Sequence, residues 1–377
     1  MIIIKNIFKL KIDSERIYGL DILRSIAILF VVIAHGSLLL PKKIREMHHF
    51  LNFDGVSIFF VLSGFLIGGI LIKIIDEKGI DRKILINFWI KRWFRTLPNY
   101  YLILIILLML NFLFTENFSV IIYNKYFIFC QNLFTNQPLV FFPEAWSLCV
   151  EEWFYLITPI LIFILILIFG KAQRSVIIAA VIIIFSVTFF RYYRFENTQI
   201  NSFSDLDSLF HMQVFTRLDS LMYGVIGAYI HFYHFDIWIK HKGRLVVMGI
   251  CLFLMSKYLY TIVQINWFYS AVFSYSVCSV ATLMLLPYLS QLKSGKGILY
   301  KIITYISLVS YSIYLLNYSI IQVWIINKID WHWIYDNDHF IIIGKYGFYW
   351  FLVVSLSILL YKYFEIPMTN LRRKFEL

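Results

Sequence analysis

Long apolar runs alternate along the chain with short polar segments that are rich in Lys and Arg. Each run is close to the roughly 20 residues that a helix needs to cross the hydrocarbon layer of a bilayer. The pattern therefore predicts an all-α fold, a polytopic membrane bundle of about ten transmembrane helices. The predicted spans cover residues 22–40, 56–74, 97–115, 153–170, 175–190, 214–233, 245–263, 268–288, 301–325 and 339–362.

The composition agrees with a membrane protein and excludes an ordinary soluble domain. Hydrophobic residues make up 60% of the chain and charged residues 15%, against about 45–50% and about 25% in soluble domains. No linker divides the runs, so we expect one membrane domain over residues 1–377, with short tails at about 1–20 and 366–377. The basic N-terminal tail lacks the clean apolar core and the cleavage site of a signal peptide.

The distribution of basic residues predicts the orientation of the bundle. With a cytoplasmic N-terminus, 23 of the 34 Lys and Arg residues lie on the cytoplasmic side, nine lie outside, and Arg24 and Arg217 lie within spans. Cytoplasmic loops carry such an excess of basic residues, so we expect both termini in the cytoplasm. The net charge of +12 then reflects the membrane topology. The basic residues are dispersed among the loops, which argues against nucleic-acid binding.

Two ionisable residues, Arg24 and His35, lie within the first apolar run. Ionisable groups are costly inside a membrane span and commonly mark functional sites there. Their separation is close to three helical turns, so both side chains point in nearly the same direction, roughly 16 Å apart along the axis. The alternative is structural, with the Arg reaching to the interface and the His binding a neighbouring helix.

Arg92 and Arg95 precede the third span in the segment FWIKRWFRTLPNYY. Their spacing of three puts both on one face of a helix, on the same predicted cytoplasmic side as Arg24. Guanidinium groups bind phosphate through paired donors, so this cluster suits a polyphosphate ligand. Ordinary anchoring at lipid headgroups is the alternative.

Two adjacent carboxylates, Glu151 and Glu152, fall at the outer start of the fourth span, in AWSLCVEEWFYLITP. At that place a carboxylate can orient an imidazole or a sugar hydroxyl. The alternative is a solvated helix N-terminus, where negative charge complements the helix dipole. The sequence leaves open which of the two residues acts.

Five further polar residues lie in or beside the spans and are expected to face the substrate or to have structural roles. Asp54 and Ser57 open the second span, where Asp54 suits a helix cap. Arg217 and Asp219 begin the sixth span, and two positions apart they should face different polar neighbours. Asn317 lies within the ninth span. No HExxH or EF-hand pattern is present, and we expect no metal.

Seven stretches of the sequence, taken in order, resemble the membrane acyltransferase-3 family of carbohydrate O-acyltransferases, which includes O-antigen acetylases. They run from about residue 18 to residue 373: GLDILRSIAILFVVIAHG, DGVSIFFVLSGFLIG, FWIKRWFRTLPNYY, AWSLCVEEWFYLITP, FTRLDSLMYG, VSYSIYLLNYS and YFEIPM. The resemblance implies a multi-pass protein of the bacterial inner membrane. It would move an acyl group, often acetyl, from cytoplasmic acyl-CoA to a hydroxyl of a surface polysaccharide or lipid-linked sugar of the cell envelope.

The resemblance also implies roles for individual residues. The Arg and His of the family's first span fall on Arg24 and His35, which are both implicated in activity. The arginines of the inner mouth and the two acidic positions of the VEE motif fall on Arg92, Arg95, Glu151 and Glu152.

Three positions depart from the family's pattern and bear on acceptor preference rather than on reaction type. This chain has Ser57 in place of Asp, Trp153 in place of Gln, and Asn317 in place of His. Asn317 keeps a hydrogen-bonding group but cannot act as a base. The chain ends soon after the tenth span, so we expect the membrane domain to complete the transfer without the extracytoplasmic hydrolase-like domain of some relatives.

These points combine into one mechanistic hypothesis. The phosphates of acyl-CoA, the donor substrate, meet the three arginines, and the thioester lies near His35. Histidine suits a general base because its unperturbed pKa is about 6.5, and Glu151 or Glu152 would orient the imidazole or the sugar. An acyl-histidine intermediate is a variant of this mechanism.

Two other classes of protein remain as alternatives to the enzyme. A transporter or flippase of a sugar-linked lipid would show repeated halves with Gly- or Pro-broken spans in matching positions, and neither feature is visible. A catalytically silent partner of an export complex is the third class, and the retained Arg24 and His35 argue weakly against it.

Overall fold

A computed structural model describes residues 10, 12, 16–51, 53–79, 81–116, 118–133, 141–262, 267–331 and 338–375. Throughout these residues the regular elements are helices, and these residues contain no strand. The all-α class predicted from the apolar runs is confirmed.

Within the described residues, ten long helices form the bundle, and each overlaps one predicted span. In chain order they are α1 (Tyr18–Ser37), α2 (Gly55–Lys78), α3 (Arg82–Phe114), α4 (Ala145–Phe169), α5 (Ala172–Asn197), α6 (Leu218–Tyr233), α7 (Lys242–Ile262), α8 (Ser274–Leu289), α9 (Gly297–Leu316) and α10 (Asp338–Leu360). Three π-helical segments adjoin the last three of these helices: Tyr269–Phe273, Asn317–Ile325 and Tyr361–Glu365. Shorter helices occur at Lys42–Leu51, Val120–Tyr123, Asn124–Phe127, Phe203–Leu206, Asp207–His211, Val214–Thr216, Phe235–Lys240, Ile326–Lys328, Ile366–Leu371 and Arg372–Lys374.

Eight helical stretches in the described parts of the chain are long and apolar enough to cross a membrane. They include each long helix except α6, which has 16 residues, and α7. The structure therefore supports an integral membrane protein with eight candidate spans. The count of ten spans and the cytoplasmic position of both termini stay predictions.

Two helices extend beyond their predicted spans and carry charged residues into the bundle. Helix α4 begins at Ala145 rather than at 153, so Glu151 and Glu152 lie within it instead of at its outer start. Helix α5 continues to Asn197 rather than ending at 190, so Arg191 lies in this helix instead of in the segment that follows the predicted span. Charged residues lower the hydropathy of a sequence window, but neighbouring helices can supply the partners that keep them inside a bundle.

Arg191 shows how the bundle accommodates such a charge. Its Nη2 atom donates to Asp219 Oδ2 on α6 and to Ser276 Oγ on α8, each at 2.7 Å. The Arg191 and Asp219 side chains are both fully buried. Loss of either partner would leave an uncompensated buried charge, so Asp219 has a structural role that holds α5, α6 and α8 together.

Helices α2 and α6 approach each other closely at two glycines. A Cβ atom added at Gly64 would lie 1.9 Å from the carbonyl oxygen of Leu221, and one added at Gly224 would lie 2.1 Å from that of Val61. Small residues permit such backbone contact between membrane helices. This contact fixes α2, whose N-terminal end carries Asp54.

Helix α1 lies in the core of the bundle between α2 and α9. Ser25 Oγ donates to the carbonyl oxygen of Ile303 on α9 at 2.7 Å. On the other side, a Cβ atom added at Gly55 would lie 2.3 Å from the carbonyl oxygen of Ala27. Arg24 and His35 of α1 are therefore held at fixed depths within the bundle.

Candidate active site

Two cavities lie along α1 and meet at a shared wall. The first, of about 350 Å³, is lined by His35 on α1, and we call it the histidine cavity. The second, of about 110 Å³, is lined by Arg24 on the same helix, and we call it the arginine cavity. Val56 and Tyr314 line both cavities, so they form the wall between them.

The arginine cavity brings together the three arginines that the sequence assigned to the donor. Arg24 comes from α1, whereas Arg92 and Arg95 come from neighbouring turns of α3. Arg92 Nε is buried and has no hydrogen-bond acceptor among the described residues. Arg95 is exposed, so the cavity presents guanidinium donors both inside the bundle and at its rim. Such donors suit an anionic ligand with several oxygen atoms.

The acidic pair of α4 lies on the arginine side of the wall. Glu151 lines the arginine cavity and accepts a hydrogen bond from Ser63 Oγ at 2.7 Å. Glu152 is buried beside it and accepts from Thr96 Oγ1 at 2.7 Å. We expected this pair at the outer start of the helix, where it could orient His35. Instead, the two residues lie one to two helical turns inside α4, and Glu151 offsets part of the arginine charge.

His35 is oriented by Asn317 rather than by a carboxylate. The imidazole Nδ1 lies 2.6 Å from Asn317 Oδ1. Asn317 Nδ2 donates to the backbone carbonyl oxygens of Ile313 at 2.9 Å and Tyr314 at 2.8 Å. Because carbonyl oxygens only accept, these two contacts identify the amide nitrogen and leave Oδ1 facing the ring.

The orientation of this amide determines the tautomer of the histidine. An amide oxygen only accepts, so Nδ1 of His35 must carry the proton in this hydrogen bond. The other ring nitrogen, Nε2, then holds the lone pair of the neutral imidazole. His35 is partly exposed and lines the cavity, so an imidazole of fixed orientation borders this cavity.

An irregular helix places Asn317 opposite the histidine. The α-helical geometry of α9 ends at Leu316, and a π-helix runs from Asn317 to Ile325. The next residue, Tyr318, packs its ring against His35 with the ring centroids 4.8 Å apart. Short π-helical segments are frequent at functional sites, and here the segment brings two successive side chains onto one imidazole.

A buried arginine fixes the rim of the histidine cavity. Arg217 is fully buried, and its Nη2 donates to Asp54 Oδ2 at 3.3 Å and to Ser57 Oγ at 2.5 Å. Asp54 also caps α2 by accepting from the backbone N–H of Ser57 at 2.9 Å. The guanidinium carbon of Arg217 lies 4.3 Å from the ring centroid of Tyr275. Arg217 and Asp219 therefore have separate partners, on opposite sides of α6.

Two residues of the histidine cavity were missed in the sequence. Glu144 is buried, and its carboxylate accepts from the backbone N–H and the hydroxyl of Ser319 at 3.0 and 2.6 Å. His211 stacks on Tyr275 with centroids 5.6 Å apart and lies 3.9 Å from the Asp54 carboxylate. Neither residue lies in a predicted span, so the pattern of ionisable groups within spans does not mark them.

The structure thus divides the residues chosen from the sequence into groups. The arginine cavity gathers four of them, the histidine cavity and its rim gather five, and two lie in structural networks outside both cavities. In that order they are Arg24, Arg92, Arg95 and Glu151; His35, Asp54, Ser57, Arg217 and Asn317; Glu152 and Asp219.

The fold and the site define a helical membrane protein in which an arginine-lined cavity adjoins an oriented histidine. Residues 17–362 match the acyltransferase domain of the acyltransferase-3 type. The chain belongs to this family, as its sequence stretches indicated.

Similar proteins occur in Staphylococcus aureus. The O-acetyltransferase OatA of strain NCTC 8325 is 28% identical over 328 residues, which cover 80% of this chain and 50% of OatA. A protein of strain COL with the name "Putative O-acetyltransferase" is 26% identical over 330 residues, which cover 81% of this chain and 50% of that protein. The chain therefore spans about half the length of the curated relatives it matches. No solved structure matches it significantly.

Proposed function

We propose that the protein is a membrane O-acyltransferase that moves an acyl group, typically acetyl, from acyl-CoA to a hydroxyl of a cell-envelope glycan. The observation that carries this proposal is the shared wall. Three arginines lie on one side of Val56 and Tyr314, and an oriented histidine lies on the other. A donor and an acceptor could therefore meet at the wall from opposite directions.

Acyl-CoA suits the arginine cavity because its diphosphate and 3′-phosphate are anionic. Guanidinium groups bind such oxygens through two parallel hydrogen bonds. The arginine cavity is too small to hold the nucleotide of acyl-CoA in addition to the pantetheine arm. The arginines would therefore hold the phosphates at the rim of the cavity, while the pantetheine arm carries the thioester inward. The predicted orientation puts this side of the bundle in the cytoplasm of a bacterial inner membrane.

A carbohydrate suits the histidine cavity because its walls combine aromatic rings with carboxylates. Trp146 and Tyr275 offer apolar faces, while Asp54 and Glu144 offer hydrogen-bond acceptors for hydroxyl groups. Binding sites of this kind use a few polar groups to orient a ligand against a largely apolar lining. The names of the relatives also indicate transfer to oxygen.

The residues of the site would carry the transfer as follows. His35 Nε2 takes the proton of the acceptor hydroxyl, and the oxygen attacks the thioester carbonyl carbon. The C–S bond breaks as the C–O bond forms, and the imidazole returns the proton to the CoA thiolate. A positioned base of this kind typically contributes about 10²–10⁴-fold to the rate. The acyl-histidine variant uses the same nitrogen as the nucleophile, and Asn317 orients the ring in both routes.

Reconstitution into liposomes tests the proposal. Purified protein would receive labelled acetyl-CoA and a glycan extract from the envelope of the source cells. We expect label in the glycan and an equal amount of free CoA, and His35→Ala should reduce both by about 10²–10⁴-fold without loss of folded protein. A transporter or flippase would move glycan across the bilayer and leave acetyl-CoA intact, which would refute the proposal.

A further inference from the structure

The wall between the two cavities has one rigid side. Tyr314 is buried, its hydroxyl accepts a hydrogen bond from Ser147 Oγ at 2.7 Å, and it donates to the carbonyl oxygen of Glu144 at 3.0 Å. A phenol with both hydrogen-bonding functions satisfied in a packed core has little freedom to turn aside. The space at the wall therefore depends on the other residue that lines both cavities, Val56.

The backbone that carries Val56 is also fixed. The preceding residue, Gly55, lies against Ala27 of α1, and the α2 cap is held by the Asp54 carboxylate and by Arg217. The helix end cannot shift without breaking these contacts. The isopropyl group of Val56 is thus the part of the wall whose size can vary without moving the backbone, and it limits the space beside it.

This geometry bears on the donor, provided that the proposed function is correct. With the phosphates at the arginines and the hydroxyl at His35, the thioester carbon must lie at the wall. The acyl substituent on that carbon then occupies the gap beside Val56. We propose that Val56 sets the length of the acyl chain that the protein transfers, and that the native residue selects the two-carbon acetyl group.

Val56 would select the acyl group by its size, and the chemistry of the transfer would stay the same. For any acyl group the thioester C–S bond breaks, the ester C–O bond forms, and the hydroxyl proton passes through His35 to the CoA thiolate. The chain itself is carried over intact. One additional methylene in a tight apolar site changes kcat/KM by about 10–200-fold, so each added carbon should be strongly disfavoured.

The test compares donors of increasing length in the reconstituted full chain. Acetyl-, propionyl- and butyryl-CoA would be supplied with the same envelope glycan extract, and kcat/KM measured for each. The native protein should prefer acetyl over propionyl by about 10–200-fold. Val56→Ala should reduce that preference about tenfold or more. The matched control is Val31→Ala, at a valine that lines the histidine cavity but not the wall.

A second variant protects the test against loss of fold. Val56→Ile should narrow the gap and increase the preference for acetyl, the opposite direction from the alanine variant. If the native protein transfers acetyl but both variants keep its donor preference, Val56 does not select the chain and the proposed function stands. If the native protein transfers no acyl group from any of the three donors, both proposals fail.

Discussion

At the scale of single residues, a neutral amide orients the histidine. The two backbone contacts of Asn317 fix its direction, and its oxygen holds the proton on Nδ1. The position that holds His in the family's pattern thus orients the His35 ring here through an amide. Asn317 is fully buried, so replacing it changes the orientation of the ring without adding a charge.

Asn317→Leu should lower kcat for acyl transfer by up to about 10⁴-fold, the upper contribution of a positioned base, because the ring loses its fixed tautomer. The KM for acyl-CoA should change little, since the arginines lie beyond the wall. The matched control is Gln322→Leu, at a buried amide of the same π-helix. Equal losses in both variants would indicate damage to the π-helix instead of loss of orientation.

The arginines of α3 should govern donor affinity. Arg92→Ala and Arg95→Ala should each weaken binding of CoA by roughly 10- to 100-fold, because a hydrogen bond to a charged group contributes about 1.5–3 kcal/mol. Arg95→Lys should recover part of the loss, since an ammonium lacks the guanidinium's fork. Binding is measured by calorimetry, with Lys83→Ala at the exposed start of the helix as control. Unchanged affinity in both alanine variants would assign these residues to membrane anchoring.

At the scale of elements, glycines and π-helices position the site. The close contact of α2 with α6 holds the helix that carries Asp54 and Val56, and the π-helix after α9 turns Asn317 toward α1. The close backbone contact and the π-helix both depart from the packing of regular, well-separated α-helices. They position side chains of α1, α2 and α9 around the two cavities.

Gly64→Ala should destabilise the bundle by about 1–3 kcal/mol or more, the cost of overpacking a core, because the new methyl group meets the Leu221 carbonyl. Gly69→Ala on the same helix is the matched control, since its nearest neighbour would be Ala228 Cβ at 4.0 Å. Thermal unfolding of the detergent-solubilised proteins measures the difference. Equal midpoints would show that α2 and α6 can separate without loss of stability.

At the scale of the whole molecule, α1 crosses the bundle and joins the two cavities. Arg24 lies toward its beginning and His35 toward its end, and α2 runs beside it. The proposed transfer from cytoplasmic donor to external acceptor therefore depends on the orientation of this helix in the membrane.

Thiol labelling in intact cells tests that orientation. In an active variant free of the four native cysteines, Lys43→Cys should react with an impermeant reagent from outside, whereas Arg82→Cys should react only after the membrane is opened. Both native residues are exposed, and they lie near opposite ends of α2. Labelling of position 82 from outside would show that the topology is inverted, and it would contradict the model of a cytoplasmic donor.

The sequence by itself determined the helical class, the approximate positions of the long helices, and the family. Apolar runs of bilayer length, and the basic residues within or beside them, are local properties, so Arg24, His35, Arg92 and Arg95 could be identified from the sequence. The capping role of Asp54 was equally local, because it depends on residues within one helical turn.

Only the tertiary structure decided which of these residues meet. Glu151 lies with the arginines, and His35 lies with Asn317, which is 282 positions away in the chain. Glu144 and His211 join the site from segments that no hydropathy pattern marks. Sequence periodicity gives the direction of a side chain around its own helix, but not the neighbouring helix it faces. That choice follows from how closely the helices pack, and here glycines at α2 and the π-helix after α9 set it.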